Sequence, residues 1–408
     1  MFSYDSRKKL CLFTIFVVIC VFCTLTYAEF PAFEYHLIDR IGNQMGQTSL
    51  VDIDKDGDLD WVVGERARTW WFEYVGGGEG VSPSNRGQDA RATQWIRHDL
   101  GQGVRTDVGG TAFDIDGDGW IDQFCGTGWY RNTGKPRTES FEQFDSGAIV
   151  CHDNVAVDIN GDGQLDVVAI SDQKDHTVTV WYEIPANPRD KWTEHKIGGG
   201  IHGGVGPAGV ADLDGDGDND VVRGDVWFEN IDGKGLQWTE RSGLTPPGGN
   251  RPDRYGLAIK VWICDLDKDG DLDIIEAEAD TVDARVFWFE NLGKGKNWKC
   301  RLISADYTKQ DFHSLAVADF DNDGDLDVFS GGGPISQTVH KWFIWENADG
   351  KAGRWQEHCI LEGKRCHEAK AADVDGDGDI DICTKPWHGN LHVYLRNLLV
   401  EDAQARKP

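Results

Sequence analysis

Methionine occurs only twice in 408 residues, whereas glycine occurs 50 times and tryptophan 17 times. That balance is not the composition of a helical enzyme. Basic residues are also scarce, since 41 Lys and Arg face 70 Asp and Glu and leave a formal charge of -29. A deficit of this size argues against a nucleic acid or an anionic membrane held by bulk electrostatics. After the first 28 residues, no apolar run is long enough to cross a bilayer. A nucleophilic serine with its base, a phosphate-cradling glycine loop and a dinucleotide fingerprint are all lacking. Core material is present: 39% of residues are hydrophobic and 11% aromatic, more than a disordered acidic chain carries. The chain is therefore expected to fold, with its excess acid in specific places.

The N-terminus reads as a secretory signal over residues 1–28. Arg7, Lys8 and Lys9 precede an apolar stretch from Leu10 to Leu25, and Thr26-Tyr27-Ala28 approximates a small-x-small cleavage site. An uncleaved anchor is the alternative, but the stretch is short for a span. The expected location is secreted or periplasmic, without membrane attachment after cleavage. Cys11, Cys20 and Cys23 leave with the signal, so an odd number of cysteines enters an oxidising compartment. Cys359 and Cys366 are the best disulfide pair by proximity in sequence.

Self-similarity exposes the organisation. The pattern Asp-x-Asp-x-Asp-Gly-x-x-Asp starts at Asp52, Asp114, Asp212, Asp265, Asp319 and Asp373, with a seventh copy at Asp158 that carries Asn160 in place of its second aspartate. The repeat unit is about 54 residues, lengthened in the first unit by the insertion from Gly76 to Thr93 and trimmed in the second. Around each loop lie small or β-branched stretches such as Leu315-Ala316-Val317-Ala318. An aromatic strand follows, as in Trp227-Phe228-Glu229-Asn230, and then a Trp-x-x-His-x-Ile element such as Trp355 to Ile360. Four short strands per unit make a propeller blade. The seventh unit lacks its fourth strand, and the missing copy stands at the other end of the chain as Phe33-Glu34-Tyr35-His36-Leu37-Ile38. The expected fold is all-β, a seven-bladed β-propeller of four-stranded blades over residues 29–397, its N-terminal strand closing the last blade. Residues 398–408 form a C-terminal tail.

The loops carry hard oxygen ligands at the spacing Ca²⁺ prefers, with a glycine for the sharp turn and a backbone carbonyl at the seventh place. The candidate ligands are Asp52, Asp54, Asp56 and Asp60; Asp114, Asp116, Asp118 and Asp122; Asp158, Asn160, Asp162 and Asp166; Asp212, Asp214, Asp216 and Asp220; Asp265, Asp267, Asp269 and Asp273; Asp319, Asp321, Asp323 and Asp327; and Asp373, Asp375, Asp377 and Asp381. About seven Ca²⁺ per chain are expected, as staples of the blade turns. Asp265 to Glu276 also satisfies the EF-hand pattern, but the other loops have Val63, Cys125, Ala169, Arg223, Ser330 or Thr384 at that place and strands at their flanks. The loops hold 32 of the 70 acidic residues, and the 38 elsewhere face 41 basic ones. Outside its loops the protein is nearly neutral, so the acidity speaks for metal rather than for a partner.

In these loops the sequence resembles the FG-GAP or VCBS-type calcium-binding propellers, the group that includes the integrin α-subunit head. The Trp-Phe-Glu-Asn strand with its following Trp-x-x-His-x-Ile resembles a subgroup found in carbohydrate-active proteins, including the propeller of the aldos-2-ulose dehydratases. The first resemblance implies calcium-stabilised blades. The second raises a carbohydrate reading by analogy.

Register also selects residues for chemistry. His152, His313 and His367 each lie six residues before their loop's first aspartate, so the fold should place them equivalently around the channel mouth, with Asp153, Ser314 and Glu368 beside them. His202, Arg254 and Tyr255 could reach the same area. The loops after the second strands offer Arg66 and Arg68, Asp172 and His176, Arg223, Glu276 and Glu278, and Lys385, Trp387 and His388. His152, His202, His313, His367 and Lys385 are the catalytic candidates. Three readings are open: a second metal such as Zn²⁺ that polarises a sugar carbonyl or carboxylate; proton abstraction α to a carbonyl with cationic stabilisation, giving a lyase, dehydratase or epimerase; or plain binding of a carbohydrate or an extracellular protein ligand. A structural alternative has the phase-matched histidines as hydrogen-bonding groups between blades. His36, His98, His195 and His358 belong to the fourth-strand consensus and are expected to be structural.

Overall fold

The computed structural model describes residues 30–76, 95–173, 176–252, 255–304 and 310–400. The expected signal sequence, most of the first-unit insertion, Arg254 and the end of the tail lie outside the described residues, as does the side chain of His176. Among the described residues no helix is long and apolar enough to cross a membrane.

Seven antiparallel blades, numbered here in the order of their loops, form a ring. Blade six shows the plan with strands Ala316–Ala318, Asp327–Gly331, Lys341–Asn347 and Trp355–Glu362. The first strands of neighbouring blades approach one another around the axis. Blade seven is assembled from both ends: His367–Ala372, Asp381–Lys385 and Leu391–Asn397 pair in turn, and Phe33–Arg40 adds the outer strand antiparallel to the last of them. The predicted closure is therefore the observed one. Blade four departs from the plan, because Pro207–Ala208 pairs parallel with Ala258–Cys264 of blade five while Val210–Ala211 keeps the blade's own pairing.

Each blade is sealed to the next by aromatic packing. Trp61, Trp70, Phe72, Tyr74 and Trp95 of blade one share a core with Val374, Cys383 and Tyr394 of blade seven. Such side chains stand on the broad faces of the sheets, so the core lies between blades and the channel is left for polar groups.

The last aspartate of each loop explains much of the repeat. Asp327 is buried; its Oδ2 accepts from the Phe320 amide at 3.2 Å and its Oδ1 from the Asn347 amide at 2.8 Å. Asp220, Asp273 and Asp381 repeat both contacts with their own loop and third strand. The asparagine of Trp-Phe-Glu-Asn then reaches across the blade interface. Asn291 Nδ2 donates to the Leu213 carbonyl at 3.0 Å, and Asn397 Nδ2 to Phe320 at 2.9 Å. An aspartate and an asparagine thus lock the loop to its own third strand and to the preceding blade, each bond contributing about 1 kcal/mol net.

The fourth-strand histidines are structural in position, as expected. His98 stacks on Trp71 at 4.3 Å and His195 on Trp181 at 4.2 Å. The expected cysteine pair is not formed. All seven described cysteines are free, with Cys359 exposed and Cys366 buried beside the Ser314 and Thr384 hydroxyls. Between the two positions the chain travels from the outer strand of blade six to the inner strand of blade seven, so proximity in sequence becomes separation along a radius.

Candidate functional site

His152, His202, His313 and His367 line one cavity of about 150 Å³, together with Arg66, Tyr255, Asp280, Trp387 and His388. The cavity thus brings together four of the five catalytic candidates, the three that share a register and His202. His152, His313 and His367 arrive on or just before inner strands, and His202 comes from the glycine-rich approach to blade four. Lys385 lies behind this wall, fully buried at the end of a second strand, with its Nζ 2.7 Å from His367 Nδ1 and bonded to the Met45 carbonyl.

The histidines form two close pairs, His152 and His202 tilted at 56° to one another and His313 and His367 stacked. His152 and His202 have centroids 4.3 Å apart, and His313 and His367 4.0 Å. Asp280 joins the pairs, with Oδ2 at 3.2 Å from His313 Nε2 and 3.5 Å from His202 Nε2. His202 Nδ1 lies 2.6 Å from Asp172, and His152 Nδ1 lies 2.8 Å from Asp153. Beneath the cavity, Lys260 Nζ bridges Asp153 at 3.2 Å and Glu368 at 2.5 Å.

These surroundings split the protonation of the cluster. Burial opposes charge on His202, but hydrogen bonds to Asp172 and Asp280 outweigh it and hold the ring up at about 9. Burial also opposes charge on His313, and Asp280 overcomes it, giving about 10. Ionisation of Asp280 is opposed by burial, yet His313 and His202 keep it well below the ordinary carboxylate range. His367 goes the other way: burial first, then Lys385 and His313, push it well below the usual imidazole value. Burial likewise lowers Lys385 to about 7, with Glu368 pulling against it and Lys260 adding to it. Buried, Asp153 and Glu368 still stay ionised, because Lys260 stands between them and His152 and His313 add to it.

Several candidates fall outside the cavity. Arg68 pairs with Asp99, Arg223 with Asp225, and Glu278 with Arg285. Glu276 is fully buried with neither carboxylate oxygen hydrogen-bonded, far from the EF-hand role that its spacing imitated. Two central groups escaped sequence reasoning. Asp280 lies just past the second strand of blade five, at a φ of 52°, outside the loop spacing that revealed the histidines. Lys260 does carry a signal, since it interrupts the apolar strand Ala258–Cys264 with a charge.

Three donors converge as a metal would require: atoms of His313, His367 and Glu368 lie within 4.8 Å of one another. Lys260 and Lys385 already hold two of them, so a cation here must displace two ammonium groups. The acidic loops suit a hard cation better. Asp52, Asp54 and Asp60, and the matching groups of blades two and four, bring carboxylate oxygens within the same distance. The Oδ1 atoms of Asp54, Asp114 and Asp375 are buried without a hydrogen-bond donor. These residues fit Ca²⁺.

The FG-GAP-like repeat model matches residues 114–169, 158–222 and 265–330, which contain the loops of blades two to six. Over these residues the chain is similar to FG-GAP-like repeats. No curated protein matches it in sequence. Among solved structures, an Agrocybe aegerita lectin, described as recognising non-reducing terminal N-acetylglucosamine, is 18% identical with a TM-score of 0.48, over 79% of this chain and 81% of the lectin. The V. cholerae biofilm matrix protein Bap1 is 11% identical with a TM-score of 0.28, over 87% of this chain and 68% of that one. At this level of similarity the propeller's ligand is argued from its own residues.

Proposed function

We propose that the protein is a secreted, calcium-stabilised propeller that binds a carbohydrate at the channel mouth and eliminates or dehydrates it there. The observation that carries this reading is the pairing of His313, driven towards its protonated form, with His367, driven towards its neutral form, at 4.0 Å in one cavity. Titratable groups whose environments push them apart supply an acid and a base side by side. Trp387 and Tyr255 give the cavity aromatic faces for the apolar side of a sugar ring, and Arg66 and protonated His202 give it positive charge for a uronate or an enolate.

The chemistry follows from the tautomer of His367. When Lys385 is neutral, His367 Nδ1–H donates to its amine and Nε2 is free to take a proton. The C–H bond α to the carboxylate or ketone breaks, its electron pair becomes the new C=C bond, and the β C–O bond breaks. Protonated His313 supplies the proton that the departing oxygen takes up, while the cationic groups stabilise the charge that develops. Calcium in the acidic loops holds the blades in the ring and takes no part in these steps.

A second reading makes the same mouth a zinc site, favoured by the convergence of His313, His367 and Glu368. A third is a non-catalytic adhesion module of the integrin-head type. One experiment separates them: purified protein is given uronate-containing polysaccharides and ketoses while unsaturated products are followed by absorbance, with metal content measured in parallel. Turnover lost in His313→Ala and His367→Ala with calcium alone bound supports elimination. Stoichiometric zinc moves the assignment to the metal reading, and saturable binding without turnover moves it to the module.

A further inference from the structure

The seven acidic loops are not electrically equivalent. The third-strand residue at the place before Asn230, Asn291 and Asn347 is Glu229, Glu290 or Glu346 in blades four to six; it is Glu73 and Glu183 in blades one and three, where Tyr74 and Ile184 follow, but Arg131 in blade two and Arg396 in blade seven. The glutamates take a basic side chain from their own fourth strand, as in His195 with Glu183 at 3.2 Å, Arg301 with Glu290 at 2.7 Å and His358 with Glu346 at 2.7 Å. In blade two the polarity is reversed, with Arg131 lying 3.5 Å from fourth-strand Glu142. In blade seven Arg396 stands in register opposite Glu34.

The reversed arginines also reach into their loops. Arg131 bonds Asp116 and Asp118, the carboxylates of the third and fifth places. Arg396 bonds the equivalent Asp375 at 2.6 Å and Asp377 at 3.0 Å. Blade one acquires the same contact from its neighbour, because Arg137, in the turn after the third strand of blade two, reaches Asp54 at 2.6 Å, Asp56, and Glu73 at 2.7 Å. Blades seven, one and two are consecutive in the ring. Among the described residues of blades three to six, no arginine contacts the third- or fifth-place carboxylates. Lys268 touches blade six's loop at Asp325, which in this pattern offers calcium its backbone carbonyl.

We infer that the loops fall into two classes: four open sites in blades three to six, and three arginine-capped sites in blades seven, one and two that take up Ca²⁺ more weakly. This rests on the calcium reading of the loops. A guanidinium on the third- and fifth-place carboxylates competes for the oxygens a calcium ion needs, and ligand charge is a main determinant of affinity at such sites. Buried oxygens of Asp114 and Asp375 remain without donors, so the caps compete with the ion without sealing its site.

The test is to strip the full chain with a chelator and titrate it with Ca²⁺ by equilibrium dialysis, counting bound ions per chain. The expected isotherm has four tight sites and three whose dissociation constants are at least tenfold higher. Arg137→Gln, an exposed turn substitution that leaves the strands intact, should convert one weak site to a tight one. Arg131→Gln and Arg396→Gln should each do the same, while Glu290→Arg should remove one tight site. Seven equivalent sites, or a tight count unchanged in folded Arg137→Gln, overturn the inference. No uptake at all overturns the calcium reading beneath it.

Discussion

His313 and His367 stack face to face at 4.0 Å, yet burial and Lys385 keep one neutral while Asp280 keeps the other charged. A charged ring on a neutral ring is an arrangement that two protonated rings could not hold at this distance. The asymmetry originates in partners on different blades: Asp280 follows a strand of blade five, and Lys385 ends a strand of blade seven.

Elimination should depend on Lys385. Its amine titrates at about 7 and, once neutral, frees His367 to act as the base. The rate is therefore expected to rise with pH through about 7, and Lys385→Met should abolish that limb of the pH–rate profile. An unchanged limb in the folded variant would remove Lys385 from the mechanism.

Chelation should lower the melting temperature sharply. Without a cation, each loop gathers several carboxylates whose repulsion only folding enforces, and an ion bound to the folded state alone stabilises it by mass action. A melt insensitive to chelator would refute the calcium assignment.

Removing an inter-blade asparagine should cost stability without touching the site. Asn291→Ala loses the Nδ2 bonds to Leu213 and Leu272 and leaves buried carbonyls without that donor. A loss of about 2 kcal/mol is expected in denaturant unfolding, with ligand binding at the mouth unchanged.

Glu276 should be a net liability at neutral pH. Burial, with Asp225 and Glu278 nearby, raises its carboxyl well above the ordinary range, so the folded state keeps a proton that the unfolded chain releases. Its contribution is fully present below the unfolded value, near 4.5, and falls as pH rises towards the raised folded value. Glu276→Leu should therefore raise the melting temperature at pH 8 more than at pH 4. A lower melting temperature at both would show that the carboxyl has a structural role.

The fold was legible because its signals are periodic. Seven loops in phase and a fourth strand displaced to the other end define a closed ring without reference to any contact. The mouth was half legible for the same reason: His152, His313 and His367 share a register, and register survives folding. Asp280 and Lys260 occupy positions set by one blade only, and their importance arises from other blades: His202 and His313 of the two adjacent blades for Asp280, and Asp153 and Glu368, each two blades away, for Lys260. The cysteine expectation failed on distance of another kind, since the six residues of chain between Cys359 and Cys366 carry it from rim to axis. Arg131 and Arg396 stand in plain view as departures from the Glu-Asn consensus, but their direction of reach required the third dimension.

Because Phe33–Arg40 pairs with Leu391–Asn397, the first strand of the propeller to be synthesised is among the last to find its place. During translation that segment must wait, unpaired, for more than 350 residues to follow it. The nascent chain therefore carries that segment without its partner strand until the seventh blade has been made, and the ring can close only then. The same pairing sets the two ends of the domain side by side, so a circularly permuted chain could join them through a short linker and open at a blade-connecting turn instead.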